Sequence, residues 1–229
     1  MKRLRAARVV VFGVGGVGGY VVEVLARSGV GTIAMVDPDR VNLSNLNRQI
    51  VALHSTVGRL KVEVMAERIR DINPDCEVQT FPLFYLPENA DEIDLSQYDY
   101  VVDCIDTVKA KMEIIRRCHR QQIPVISSMG AANKLDPTAF RVCDIAKTSM
   151  DPLAKVIRKT LRKEGIVHFK VVYSEEAPVQ ELGSKESGVS SQRGEKRPLP
   201  SCAFVPAACG LVVGGEVVRN LAGLSKTII

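Results

Sequence analysis

The sequence predicts a doubly wound α/β sheet, and three observations carry that expectation. Arg8-Val9-Val10-Val11-Phe12 is a short apolar, β-branched run of the kind found in buried parallel strands. Gly13-Val14-Gly15-Gly16-Val17-Gly18 follows directly and fits G-x-G-x-x-G, with Val21, Val22, Leu25 and Ala26 at helical spacing behind it. Strand-like and helix-like runs then alternate to about residue 175, the pattern of a parallel sheet covered on both faces.

The loop glycines, Gly13, Gly15, Gly16 and Gly18, let backbone amides approach a phosphate, and the positive end of the helix they open favours the anion. Gly29 ends that helix. Residues 31–36 read as the second strand, and Asp37 falls at its carboxyl end, about 20 residues past the loop, where an acidic group accepts from ribose hydroxyls. A helix begins near Gly58, with Val62, Met65, Ile69 and Ile72 as its apolar stripe. Residues 76–84 read as a third strand, 100–105 as a fourth, 110–121 as a basic amphipathic helix, and 124–129, 139–142 and 166–173 as later strands. Residues 1–174 then form one nucleotide-binding domain. Residues 175–200, rich in Ser, Gly, Glu and Lys, have no aliphatic pattern and read as a flexible crossing loop. Residues 201–229 carry an apolar helix, from Phe204 to Leu221, that packs back on the same domain.

A dinucleotide satisfies the loop and Asp37 as well as ATP does. The next residues tip the choice, because a triphosphate needs cations aimed at it and a dinucleotide needs few. Asn45 offers an amide, Arg48 a bidentate fork and Lys61 a point charge. Lys61 falls in the first turn of its helix, where the dipole disfavours a cation by ~0.3–1 kcal/mol, so it either points into solvent or serves a ligand. The implied ligand is ATP; the NAD-dependent oxidoreductase alternative leaves Arg48 and Lys61 unexplained. Asp106 lies just past the fourth strand, facing the crevice where open α/β sheets bind ligands.

The order G-x-G-G-x-G, D-x-D, N-L-x-R-Q, G-x-x-K and D-x-x-D (Asp103-Cys104-Ile105-Asp106) resembles the ThiF/MoeB group of adenylate-forming enzymes, relatives of the ubiquitin-activating enzymes. The resemblance implies a Rossmann-like fold in which Asp37 holds the ribose, Asn45, Arg48 and Lys61 the phosphates, and Asp106 a magnesium ion. It counts Asp39 among the nucleotide-binding residues. Segments 48–74, 127–137 and 153–174 are most similar to the tRNA threonylcarbamoyladenosine dehydratases within that group. That likeness implies ATP-driven activation of a carboxylate on an anticodon-loop adenosine, ring closure with net loss of water, a homodimer and a possible sulfur-transfer partner protein. It also implies an arginine from an N-terminal segment reaching the partner subunit's phosphates. The chain begins just short of that segment, leaving Arg3, Arg5 and Arg8 as substitutes.

Composition narrows the alternatives. The chain has 229 residues, 46% hydrophobic and 25% charged, enough for one large α/β domain. The longest apolar run, residues 203–215, meets Glu216 and Arg219 and reads as a buried helix rather than a membrane span. No secretory signal is legible, and the expectation is a cytoplasmic enzyme. Cys76, Cys104, Cys118, Cys143, Cys202 and Cys209 form no C-x-x-C pair, which argues against zinc and against the sulfur-carrier-type adenylyltransferases that carry such pairs. Cys202 is a candidate reactive thiol, though free cysteines more often serve as small hydrophobes. His54 reads as structural.

The net charge of +5 is mild, but its distribution is not even. Asp151 and Pro152 read as an N-cap and first helical residue, and Gly165 as a C-terminal cap. Between them Lys155, Arg158, Lys159, Arg162 and Lys163 share one helix face. Five cations on one face repel one another unless a polyanion is present, so the stripe is a candidate RNA contact.

Overall fold

The computed structural model describes residues 1–177 and 201–224. Seven strands form one sheet in the order β3-β2-β1-β4-β5-β7-β6. They are β1 (Arg8–Phe12), β2 (Thr32–Val36), β3 (Glu77–Phe81), β4 (Tyr100–Asp103), β5 (Val125–Ser128), β6 (Phe140–Asp144) and β7 (Lys170–Ser174). Every pairing is parallel except the edge pair β6–β7. The helices are α1 (Lys2–Ala6), α2 (Gly18–Arg27), α3 (Lys61–Ile72), α4 (Val108–Gln121), α5 (Pro152–Arg162) and α6 (Phe204–Leu221).

Strand alternation decides which helix packs where. Val9, Val11, Ile33, Met35 and Val102 join the apolar stripes of α2, α3 and α6 on one face. Val10, Phe12, Ala34, Val36 and Val101 join Ala110, Ile114 and Cys118 of α4 on the other. Neighbouring side chains on a strand point to opposite faces, so an unbroken run such as Val9-Val10-Val11-Phe12 is what a doubly covered strand requires. Each fully buried aliphatic side chain contributes about 1.5–3 kcal/mol. Ala154, Ile157 and Leu161 of α5 pack with Val171 and Tyr173 of β7 in a third cluster.

Phe204–Leu221 is long and apolar enough to cross a membrane, with mean hydropathy 1.3. Its packing is that of a core helix: a Cβ on Gly210 would fall 2.4 Å from the Val17 carbonyl oxygen, and one on Gly214 2.8 Å from Val24. These two glycines let α6 lie directly against α2. Glu216, also on α6, is buried between Lys170 and Arg219, each 2.7 Å away, which hold its carboxyl below the usual range against the opposing effect of burial.

Differences from the sequence expectation have local causes. The first residues form α1, a helix of one turn, too short for periodicity to reveal. The third strand stops at Phe81 because Pro82 has no N–H for the ladder. The last strand starts at Lys170 rather than 166, since Ile166 N–H bonds Leu161 O at 3.0 Å across Gly165 (φ +79°) and so terminates α5. Most of the expected crossing loop, 178–200, and residues 225–229 lie outside the described residues. Glu176, at the loop's near end, accepts from the Leu135 and Asp136 amides at 2.9 Å.

Candidate active site

The carboxyl ends of β1, β2, β4 and β5 open on a cleft of about 1070 Å³. Here the strand order turns from β2 on one side of β1 to β4 on the other, the switch point where α/β sheets bind ligands. Gly13, Gly15 and Gly16 line it. Gly13 has φ +86°, and a Cβ there would sit 2.8 Å from the Cys104 carbonyl oxygen. A Cβ on Gly18 would fall 1.7 Å from the Gly13 oxygen, so the loop can fold only with these two glycines.

Asp37 leaves β2 buried, its Oδ2 accepting from Val14 N–H at 2.6 Å and its Oδ1 from Asp39 N–H at 2.9 Å. The aspartate thereby ties the phosphate loop to the second strand. Burial pushes its carboxyl up, opposed by the charge of Lys61 and by those two amides. Lys61 is the first residue of α3 and is itself only 5% exposed. Its Nζ lies 2.6 Å from Asp39 Oδ2 and 4.0 Å from Asp37 Oδ1. It is therefore no solvated helix lysine: the position unfavourable to a cation is held by two carboxylates at the cleft wall.

Asn45 is buried and accepts from Asn42 N–H through its Oδ1, which leaves its Nδ2 hydrogens as the donors it can offer the cleft. Arg48 is half-buried on the rim, with Nη1 fixed by Ser44 O at 2.9 Å and Asn47 Oδ1 at 2.8 Å. Asp106 is exposed in the cleft, with one 3.5 Å contact from the Thr107 hydroxyl. The structure thus gathers Gly13, Gly15, Gly16, Asp37, Asp39, Asn45, Arg48, Lys61 and Asp106 around one cavity, while Gly18 shapes the loop from behind. His54 is exposed and lies outside the lining. Arg8 starts β1, at the opposite end of the sheet, and bonds Gln97 O and Glu77 there.

Four buried polar atoms among the described residues have no partner: Gln49 Oε1, Tyr85 Oη, Asn133 Oδ1 and Asp151 Oδ2. All four residues line this cleft. An unpaired buried polar atom costs about 1–3 kcal/mol, so their convergence marks a ligand surface. The sequence reading passed over the first three and read Asp151 only as a cap. It is one, accepting from Ala154 N–H at 2.9 Å through Oδ1, while its other oxygen is buried without a partner in a residue that lines the cleft. Asn133 itself and Met150, next to Asp151, hold left-handed backbone (φ +57° and +59°), strain of the sort that collects at functional sites. Cys104 lines the cleft too, yet burial pushes its thiol well up, which keeps it protonated and non-nucleophilic. Below the cleft Lys111, fully buried, bonds Asp103 at 2.8 Å and Ser128 O at 2.8 Å, and Ser127 closes the group at 2.5 Å from Asp103.

On α5 and its C-cap, Lys155, Lys159, Arg162 and Lys163 are exposed. Arg158 turns inward, donating to Thr148 O at 2.8 Å and to the Thr148 hydroxyl. The stripe is therefore four outward cations and one that fastens the loop before the helix.

A glycine loop, a buried aspartate at the end of β2 and two cations around one switch-point cleft define a nucleotide-binding α/β protein. The chain belongs to the ThiF family, whose profile matches residues 1–228. It is 47% identical to the tRNA threonylcarbamoyladenosine dehydratase of Bacillus subtilis, over 96% of this chain and 89% of that one. It is also similar to crystal structures of the Escherichia coli tRNA N6-threonylcarbamoyladenosine dehydratase in complex with AMP (TM-score 0.85) and with ATP (TM-score 0.82). Each of those is 36% identical and matched over 97% of this chain and 88% of the other.

Proposed function

We propose that the protein is an ATP-dependent tRNA threonylcarbamoyladenosine dehydratase. The observation that carries this reading is the cleft itself, which joins a phosphate loop to Asp37, Arg48, Lys61 and Asp106 in a chain so similar to dehydratases throughout its length. ATP binds with its ribose on Asp37 and its phosphates between the loop amides, Arg48 and Lys61. Phosphate oxygens then take over the Lys61 ammonium from Asp39. The substrate carboxylate attacks the α-phosphorus and pyrophosphate leaves. The resulting acyl adenylate is closed by a nucleophile of the same threonylcarbamoyl group, which loses its proton as AMP departs. No protein nucleophile is needed, in keeping with the protonated Cys104.

Asp106 is the residue that would hold magnesium: an exposed carboxylate at a strand end, weakly engaged by Thr107, with room beside it for phosphate oxygens. The ion would supply charge neutralisation for the departing pyrophosphate. Lys155, Lys159, Arg162 and Lys163 form the tRNA-facing surface, with Arg158 setting their platform. A cytoplasmic homodimer, with a sulfur-transfer protein as a possible partner, belongs to the same reading.

Purified protein given ATP and tRNA bearing threonylcarbamoyladenosine should release AMP and pyrophosphate, and nucleoside mass spectrometry should show that nucleoside lighter by one water. Tight NAD binding without ATP binding, in isothermal titration, would sink the reading.

A further inference from the structure

Along the sheet the cleft has an order. The ribose acceptor Asp37 stands after β2, the phosphate loop after β1 and Asp106 after β4; Asn133 follows β5, and Asp151 caps α5 beside it. The cavity of about 1070 Å³ lies at the top of the usual ~300–1,000 Å³ range for a small-ligand pocket, and its lining continues past Asp106 to Asn133 and Asp151, where a second reactant can sit. That end has a definite chemistry. Asp151 is 4% exposed and its Oδ2 is unpaired; Asn133, which lines the same cleft, has an unpaired Oδ1. Both are acceptors, so the group they receive must donate. Phosphates and carboxylates are excluded, the more so by the charge of Asp151, and the ribose hydroxyls have their own acceptor at the other end. Gly130 keeps the approach open: a Cβ there would stand 3.5 Å from Asp151 Oδ2.

We propose that Asp151, assisted by Asn133, determines which acyl group the enzyme accepts, by receiving the side-chain hydroxyl and urea N–H of the threonylcarbamoyl chain beyond Asp106. The assignment rests on the dehydratase reading. A site built to bond a hydroxyl discriminates strongly against a substrate lacking it, because the buried carboxylate is then left unpaired. Asp151 acts here as a specificity-determining contact; it transfers no proton and forms no bond.

The test compares two RNAs, one carrying threonylcarbamoyladenosine and one carrying the glycylcarbamoyl analogue, which lacks the hydroxyl. The wild-type enzyme should prefer the first by at least about tenfold in kcat/KM, a conservative bound for a lost buried hydrogen bond. Asp151→Asn keeps the helix cap, since Asn caps as well as Asp, but replaces the acceptor with a donor. It should bring the ratio near one while the ATP dissociation constant stays unchanged. Gly130→Ala leaves the cap untouched and screens Oδ2 with a methyl group, so it should lower the ratio in the same direction even where the Asn variant folds poorly. An active wild-type enzyme without discrimination overturns the assignment, as does a ratio unmoved in both variants. Wild-type protein that binds ATP but releases AMP with neither RNA overturns the dehydratase reading itself, a separate and recognisable result.

Discussion

Lys61 and Lys111 are both buried, both bonded to an aspartate, and both placed at the carboxyl edge of the sheet, yet their surroundings differ. Lys111 has 0% exposure and three oxygen partners, Asp103, Ser127 and Ser128 O, none from solvent. Lys61 holds the carboxylate of Asp39, whose side chain is 62% exposed, across a cleft. A closed cage fixes structure, whereas an open pair can exchange its acid for an incoming phosphate. Accessibility of the partner, rather than burial of the lysine, separates a structural cation from a working one.

Two substitutions test that contrast, changes to surface cations widen it, and one at Asp37 extends it to an acid that Lys61 faces. Lys111→Ala leaves Asp103 as an uncompensated buried charge and should cost about 3–5 kcal/mol of stability, read by denaturant unfolding. If the protein keeps wild-type stability, the cage is not structural. Lys61→Ala should lower kcat by about 10²–10³, equivalent to ~2.7–4 kcal/mol, as for loss of one preorganised donor to a charged transition state. Its melting temperature should fall much less than that of Lys111→Ala, because Asp39 can turn to water and only Asp37, 4.0 Å away, loses a buried countercharge. Parallel losses of stability and turnover would erase the distinction between the two lysines.

Cations that lie wholly on the surface should behave differently from both. Changing Lys155, Lys159 and Arg162 to Glu should reduce the salt dependence of tRNA binding by about one slope unit per lost phosphate contact, with ATP affinity unchanged. Arg158→Ala should instead loosen the segment around Thr148 and lower the melting temperature. An unaltered salt slope would place RNA on another face.

The smallest effect concerns Asp37. Burial raises its carboxyl, so the folded state binds that proton more readily than the unfolded chain does. The stability it contributes is present in acid and declines as pH rises through the folded-state value. Asp37→Asn should therefore match wild type in acid, below the ordinary aspartate value, and melt slightly higher at pH 7 without nucleotide, while losing ATP affinity. A lower melting point at neutral pH would mean that its bonds to the Val14 and Asp39 amides outweigh its desolvation.

The two ends of the cleft were unequally legible in the sequence. Glycine loop, Asp37, Asn45, Arg48 and Lys61 fall within one short stretch, and local rules for strand ends, loops and helix dipoles identify each. The strands β1, β2, β4 and β5 were legible as apolar runs for the same reason. Asn133 and Asp151 line one cleft from distant parts of the chain, one after β5 and the other at the start of α5, so their orphan acceptors have no local signature. Asp151 even presented a complete ordinary explanation as a cap, which concealed its second oxygen. Arg158 misleads by spacing: helical periodicity put it with four surface cations, but the Thr148 oxygens draw it inward.

Helix α6 backs the phosphate loop. Pro206 stands 3.2 Å from where a Cβ on Gly16 would lie, and Gly210 rests on the backbone at the start of α2. Proteins emerge from the ribosome amino end first, so the glycine motif is made early and its support arrives nearly the whole chain later. A nascent chain that has not reached Phe204 carries every residue of the ribose and phosphate pocket, yet the wall behind the loop has still to be translated. Until α6 is made, the glycine motif lacks the Pro206 and Gly210 contacts that back it.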